Sequence, residues 1–238
     1  MASDRDVERA LVVAAHPDDV DFGAAGTVAT WTDAGIEVVY CVVTDGDAGG
    51  FDPAVPRSEI PAIRRAEQEA AAKEVGVDRV VFLGYPDGRL VPSIELRRDL
   101  SRVIRQVRPQ RVVCQSPERN WDRIFASHPD HLAAGEATVC AVYPDSRNPF
   151  AHPDLAAEGL EAHTVEEVWL MAHVAPDRFV DVTDHFDRKV VALLAHVSQI
   201  TEPDALPGRM REWGEAMAER GGLPAGRLAE GFRVVPTA

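Results

Sequence analysis

Short apolar runs alternate along the chain with segments whose apolar residues recur at helical spacing. The runs are RALVVAA (9–15), EVVYCVV (37–43), RVVFLGY (79–85), RVVCQS (111–116) and EVWLMAH (167–173), each of strand length. Between them lie AAGTVATWTDAG (24–35), IPAIRRAEQEAAAKEVG (60–76), SIELRRDLSRVIRQVRP (93–109) and DHLAAGEATVCAVY (130–143). Strands that are apolar throughout are those buried on both faces. The rhythm therefore predicts an α/β fold, a largely parallel sheet with helices on both faces. Gly76 and Pro109 fall where two of the helices should stop.

MREWGEAMAER (210–220) and EGFRVV (230–235) continue the pattern, and no repeat, low-complexity tract or linker divides the chain. Residues 1–238 read as a single domain. Two stretches exceed ordinary connectors, DGDAGGFDPAVPRSEIP (45–61) and YPDSRNPFAHPDLAAEGLEAHT (143–164). Irregular segments of this length are commonly functional loops, so substrate selectivity is expected in these two, with Glu230 and Phe232 as further candidates. Ligands of open α/β sheets bind beyond the carboxyl ends of the strands. The first stretch follows the second strand and is expected at that edge.

Composition narrows the class. A hydrophobic share of 45% is ample for a buried core. The formal net charge of -14 makes polyanions poor partners, so no nucleic acid is expected. The N-terminal MASDRDVERA has neither an apolar signal region nor a basic amphipathic pattern, and no stretch approaches the roughly 20 apolar residues of a membrane span. A cytoplasmic protein without membrane insertion is expected. Cys41, Cys114 and Cys140 lack metal-ligand spacing and read as reduced thiols.

The chemistry concentrates at two strand ends. His16, Pro17, Asp18 and Asp19 close the first apolar run, where polar groups cost stability unless something charged binds among them. After the fourth run comes SHPDH, with His128 and His131 three residues apart and Pro129 suited to the first position of a helix. Side chains at i and i+3 on a helix are neighbours about 5–6 Å apart at Cβ. Imidazoles and carboxylates thus converge on one edge, and a divalent ion resolves their electrostatics. Nitrogen and carboxylate donors suit zinc, which in catalytic sites takes three protein ligands and keeps one position open. His16, Asp19 and His131 are the expected ligands of one zinc per chain. The other member of the acidic pair is then free to act as a general base. Plainer readings exist: His-x-x-His arises by chance, and an acidic pair after a strand can cap a helix. A receiver-like or nucleotide-binding module also carries an acidic pair after its first strand, but magnesium prefers oxygen ligands and the histidines favour zinc.

AAHPDDVDFGAAGT together with SHPDH resembles the LmbE/PIG-L family of zinc-dependent N-acetyl-sugar deacetylases. RRAEQEAAAKEVG, LGYPDG, AHVSQ and AEGF match further family segments in order, so the resemblance covers nearly the whole chain. It implies a Rossmann-like domain and a hydrolase that removes the acetyl group from an N-acetylglucosamine-type sugar or conjugate, releasing acetate and a free amine. It also implies roles: His16, Asp19 and His131 as zinc ligands, Asp18 as general base, and His128 as the group that stabilises the oxyanion or protonates the leaving amine. Asp130 corresponds to a carboxylate that orients His128, and Arg64 and Asp87 to contacts with sugar hydroxyls. Read from the residues alone, Arg64 sits on a charged helix face and Asp87 in a turn. One departure is Asp21, where the family often has Glu.

An amidase acting on a thiol conjugate is the alternative enzyme, and the receiver-like module the alternative outside enzymes. The partner implied is a small N-acetyl amino sugar or conjugate. Nothing along the chain marks an interface patch, so a homo-oligomer stays open. His152, His163, His173 and His185 are expected outside the site, with His173 at a strand end the first to check. His196 is expected on a helix in a packing or capping role, and Gly23 and Gly26 in close helix packing.

Overall fold

The computed structural model describes residues 7–237. The reading of the N-terminal segment falls mainly on residues 1–6, outside the described residues. Seven strands form one sheet: β1 (Arg9–Ala14), β2 (Glu37–Thr44), β3 (Arg79–Tyr85), β4 (Arg111–Gln115), β5 (Glu167–Met171), β6 (Arg178–Asp181) and β7 (Ala229–Pro236). Their spatial order is β3-β2-β1-β4-β5-β7-β6. Strands β1 to β5 run parallel, and β7 pairs antiparallel with both β5 and β6. The five apolar runs of the sequence are the five parallel strands.

Alternation along the strands sorts side chains onto two faces. Ala10, Val12 and Ala14 of β1 with Val38 and Tyr40 of β2 pack beneath α1 (Asp19–Asp33) and α2 (Ile60–Glu74). Leu11 and Val13 with Val39, Cys41 and Val43 face α3 (Ile94–Val107) and α4 (Pro129–Cys140). Burial on both faces holds for β1, β2, β4 and β5. It fails for β3, whose side chains are mostly half-buried because it is an edge strand. A short helix α5 (Pro153–Ala157) follows, and α6 (Phe186–Leu194) and α7 (Leu206–Arg220) close a third apolar cluster with Val182, Phe186, Met210 and Leu228.

Helix α1 begins at Asp19, five residues before the apolar pattern suggests. Acidic Asp19 and Asp21 in its first turn suit the positive end of the helix dipole but hide the helical period. Gly23 and Gly26 serve packing, since a Cβ at either would meet Met171 Sδ at 2.8 Å or Val182 Cβ at 2.7 Å.

The second long stretch lies away from the functional edge, which corrects the expectation for 143–164. The buried Arg105 side chain on α3 donates to the carbonyls of Asp145, Ser146, Asn148, Ala151 and Leu160. His163 Nε2 reaches the Pro109 carbonyl at 2.7 Å, at the amino end of β4. One buried guanidinium thus fastens this segment to the opposite side. Phe232 is likewise a core residue, packed 5.2 Å from the Trp169 ring.

Candidate active site

Strand β1 has β2 on one side and β4 on the other, so the crevice beyond its carboxyl end is the switch point of the sheet. Ala15 and His16 continue from β1, and Gln115 at the end of β4 accepts the Ala15 N–H at 2.9 Å. Helix α4 approaches the same place closely: a Cβ on Gly135 would lie 2.3 Å from the Gln115 carbonyl oxygen. Only glycine lets backbone meet backbone there, and that approach sets the N-terminus of α4 beside His16. Pro129 occupies the first turn, with His128 as the preceding cap residue. His128 thus stands just outside the helix rather than on it.

The ring centroids of His16, His128 and His131 lie 4.9, 5.3 and 5.4 Å apart. Asp19 joins two of them through separate oxygens: Oδ1 is 3.0 Å from His131 Nε2 and Oδ2 is 3.1 Å from His16 Nδ1. His16 Nε2 faces Asp87 Oδ1 at 3.0 Å and Asp130 Oδ2 at 3.3 Å. Among the described residues, two sets have donor atoms within 4.8 Å of one another: His16 with His128 and His131, and His16 with Asp87 and Asp130. The carboxylate of Asp130 faces His16 and accepts the N–H groups of Gly88 and Leu90 at 2.7 and 3.1 Å. Its link to His128 runs through the backbone, with the Asp130 N–H donating to His128 Nδ1 at 3.2 Å.

Electrostatics follow from this crowding. Burial would lower the basicity of His16, but the Asp19 charge and hydrogen bonds to Asp130, Asp19 and Asp87 outweigh it, and its value is pushed up to about 12. Burial opposes ionisation of Asp19, yet His131 and His16 hold it well below the usual carboxylate range. His128 is held below the ordinary imidazole value by burial and by the charges of His16 and His131. With Nδ1 accepting a backbone N–H, neutral His128 carries its proton on Nε2.

Asp18 differs from its neighbour. Its backbone has φ 92°, the left-handed region that costs a non-glycine residue about 1–3 kcal/mol. Burial and the adjacent Asp19 push its carboxyl up to about 6, against the pull of Arg64, His196 and His16. Arg64 on α2 is 3% exposed, so the solvated-face reading fails for it while fitting the half-exposed Arg65. Its Nη2 donates to Asp18 Oδ2 at 3.0 Å and to the Pro17 carbonyl, and its Nη1 lies 3.8 Å from Asp87 Oδ2. Gly46, at φ 62°, leaves room for this guanidinium, since a Cβ there would meet Nη1 at 2.5 Å. The stretch after β2 therefore does reach the functional edge, and Asp47 Oδ1 accepts the Asp87 N–H at 2.8 Å.

Three polar residues behind Asp18 escaped assignment to the site. Gln68, one turn after Arg64 on α2, accepts the Asp18 N–H at 2.8 Å and donates to Asp21 Oδ2 at 2.9 Å. His196 Nε2 meets the same Asp21 oxygen at 2.8 Å, both side chains fully buried. His196 lies just past the end of α6 rather than on it. The i,i+4 spacing of Arg64 and Gln68 was the available signal for one of the three. His152, His163 and His185 lie elsewhere, paired with Asp145, the Pro109 carbonyl and Asp33. His173 borders a cavity that Asp19 and His131 also line, and its Nε2 faces Glu118 at 3.2 Å.

The family model described as PIG-L, GlcNAc-PI de-N-acetylase, matches residues 11–142. The chain is 35% identical to diacetylchitobiose deacetylase of Thermococcus kodakarensis over 97% of its length and 84% of the relative's. It is 33% identical to the probable N-acetyl-alpha-D-glucosaminyl L-malate deacetylase 2 of Bacillus cereus over 79% and 82% of the two chains. The solved N,N'-diacetylchitobiose deacetylase from Pyrococcus horikoshii superposes with a TM-score of 0.89 at 31% identity, covering 98% of this chain and 85% of that one.

Proposed function

The chain belongs to the PIG-L family, whose deacetylases are generally metal-dependent, and from that premise we propose that it is a zinc-dependent hydrolase that removes the acetyl group of an N-acetylglucosamine-type sugar or conjugate. The observation that carries the reading is the bridge of Asp19 between His16 and His131 at 3.1 and 3.0 Å, at the switch point of the sheet. Family membership decides against the receiver-like alternative. The whole chain, 1–238, acts as one domain in this reading. Free cysteines, two of them buried, suit a reducing cytoplasmic compartment. Among the described residues no helix is long and apolar enough to cross a membrane.

The donor set fits a divalent cation. His131 Nδ1 donates to the Ala126 carbonyl at 3.3 Å, which leaves Nε2 as the ligating nitrogen. His16 has a carboxylate at each ring nitrogen, so one nitrogen can ligate while the other donates. Asp19, Asp87 and Asp130 concentrate negative charge around one imidazole. His16, Asp19 and His131 would hold the zinc, which when bound polarises the amide carbonyl and lowers the pKa of water toward about 7.

The remaining steps belong to the chain's own side chains. Asp18 takes the proton of the attacking water, and the Arg64 guanidinium keeps that carboxyl ionised until it does so. His128 Nε2–H donates a hydrogen bond to the developing oxyanion, and the proton that Asp18 has taken from water passes to the departing nitrogen. Asp130 fixes His128 through its backbone N–H and His16 through its carboxylate. Arg64 and Asp87, whose side chains lie 3.8 Å apart, are the contacts to sugar hydroxyls in this reading. Purified protein incubated with N-acetylglucosamine, diacetylchitobiose and N-acetylglucosaminyl malate tests the proposal. Acetate release that stops with a chelator and returns with zinc supports it; no acetate from any N-acetyl sugar overturns it.

A further inference from the structure

A cavity of about 570 Å³ opens beside the proposed metal site, between α7, the carboxyl end of β5 and the segment 120–126 that leads into α4. Asp19 and His131 border it, whereas Asp18, Arg64 and Asp87 do not. Its charged lining is unbalanced. Lys189 Nζ lies 2.5 Å from Glu230 Oε1, so that pair neutralises itself, and Asp19 is a proposed zinc ligand. Arg123 and Arg220 are left, and neither has a carboxylate within salt-bridge distance among the described residues. The Arg123 guanidinium makes no hydrogen bond among the described residues. It is held instead by ring faces, 5.0 Å from the centroid of Phe125 and 5.1 Å from that of Trp213. Stacking on an aromatic face fixes a guanidinium while leaving its N–H edge free. Arg220 donates from Nη2 to the Val174 carbonyl at 2.7 Å and keeps its other donors. Asn120 Oδ1 accepts the N–H groups of Asp122 and Arg123, both at 3.1 Å, which leaves its NH2 group as the free end. Gln115 likewise accepts the Ala15 N–H through Oε1 and keeps its NH2 group. The side chains here with hydrogen-bonding capacity to spare are therefore donors, and two of them are cations in a chain of net charge -14.

The chemistry of the sugar ring says what enters. In an N-acetylglucosamine unit, C1 and C3 flank the carbon that bears the nitrogen. With the acetamido group at the metal and the hydroxyls on the C3 side at Arg64 and Asp87, the C1 substituent leaves on the other side, where Asp19 and His131 open into the cavity. Resting on the reading above, we propose that the cavity receives the C1 substituent of the substrate, that this substituent carries an anionic group, and that Arg123 is the specificity-determining residue that binds it. The reaction stays hydrolysis of the N-acetyl group. A carboxylate or phosphate matches the guanidinium edge with paired N–H···O bonds, which are stronger than neutral ones. A neutral second sugar would stack on Trp213 and meet the same donors, but it gains only the weaker neutral hydrogen bonds.

The test compares N-acetylglucosamine glycosides of matched size with zinc-loaded protein: the carboxypropyl glycoside against its carboxamide, with the phosphoethyl glycoside and diacetylchitobiose alongside. Each synthetic glycoside is supplied in both anomeric forms. The carboxylate is expected to exceed the carboxamide by about tenfold in kcat/KM, carried by KM, because a contact remote from the reacting atoms holds ground state and transition state alike. The larger of the carboxylate and phosphate advantages names the anion. Arg123→Met should cut the advantage at least fivefold, Arg123→Lys should restore part of it, and Arg220→Met should reduce it separately. Independently of turnover, calorimetry on chelator-treated protein should show the deacetylated carboxypropyl product binding about tenfold tighter than its carboxamide, with the difference lost in R123M. Equal cleavage of acid and amide, or a preference for diacetylchitobiose over both anionic glycosides, overturns the anionic subsite and leaves the deacetylase standing. An anion advantage unchanged in R123M places the anion elsewhere and overturns the assignment. Failure to cleave any member overturns both.

Discussion

His196 Nε2 lies 2.8 Å from Asp21 Oδ2 with both side chains shut off from solvent, and the same oxygen takes a bond from Gln68, whose own carbonyl holds the Asp18 N–H. The chain of contacts ends on a residue in the left-handed region, φ 92°. Backbone strain of this kind persists only where surrounding structure holds it. Asp21, His196 and Gln68 therefore act as positioning residues for Asp18.

Gln68→Ala releases the Asp18 N–H without touching any proposed ligand. A small displacement of a catalytic group can cost about a hundredfold, so kcat is expected to fall roughly ten- to a hundredfold with KM little changed and zinc content intact. Gln68→Glu keeps an acceptor for the Asp18 N–H but sets a carboxylate against Asp21, so its kcat should lie between those of Q68A and the parent. Steady-state kinetics beside metal analysis check this; a rise in KM alone contradicts it.

Asp18→Asn removes the proposed proton acceptor while keeping shape. Loss of a general base typically costs about 10²–10⁴ in rate, and kcat should drop by that order with one zinc still bound per chain. Turnover within tenfold of the parent assigns the base elsewhere.

The Arg64 charge lies 3.0 Å from Asp18 and opposes the burial and the Asp19 charge that push its carboxyl up to about 6. Removing that charge raises the Asp18 value further. A base works when ionised, so the acid limb of kcat/KM in Arg64→Met is expected to move to higher pH, by about one unit for a lost charge at this distance. Arg64→Lys keeps the charge and should return the limb most of the way. A shift to lower pH has the wrong sign and removes Arg64 from this role.

Gly135→Ala tests how α4 is set. The added Cβ would lie 2.3 Å from the Gln115 carbonyl, a backbone atom that cannot swing aside. Overpacking of this kind costs about 1–3 kcal/mol or more, read as a lower denaturation midpoint. Because α4 carries His131, zinc affinity should fall with it.

The order of the strands' apolar runs made the α/β class readable, because strands covered on both faces need no alternation with polar residues. The two acidic and imidazole motifs stood out because each interrupts or follows such a run. What could not be read is contact across the chain. Nothing local in 143–164 shows that Arg105 ties it to the far side of the sheet. Arg64 looks solvated in its own helix, and its burial depends on the glycines after β2 leaving it room. His196 and Asp21 are 175 positions apart, so their pairing has no signature in either neighbourhood.

Zinc stoichiometry of matched variants tests the central claim most directly. Protein stripped with chelator, dialysed against limiting zinc and measured by mass spectrometry should bind one zinc per chain in the parent and in D18N. His131→Ala, which removes an imidazole without touching Asp18 or Arg64, should bind none at the same free zinc. Full occupancy in H131A would show that the ion, if present, is held by other residues, and the arrangement of ligands and base argued above would be wrong.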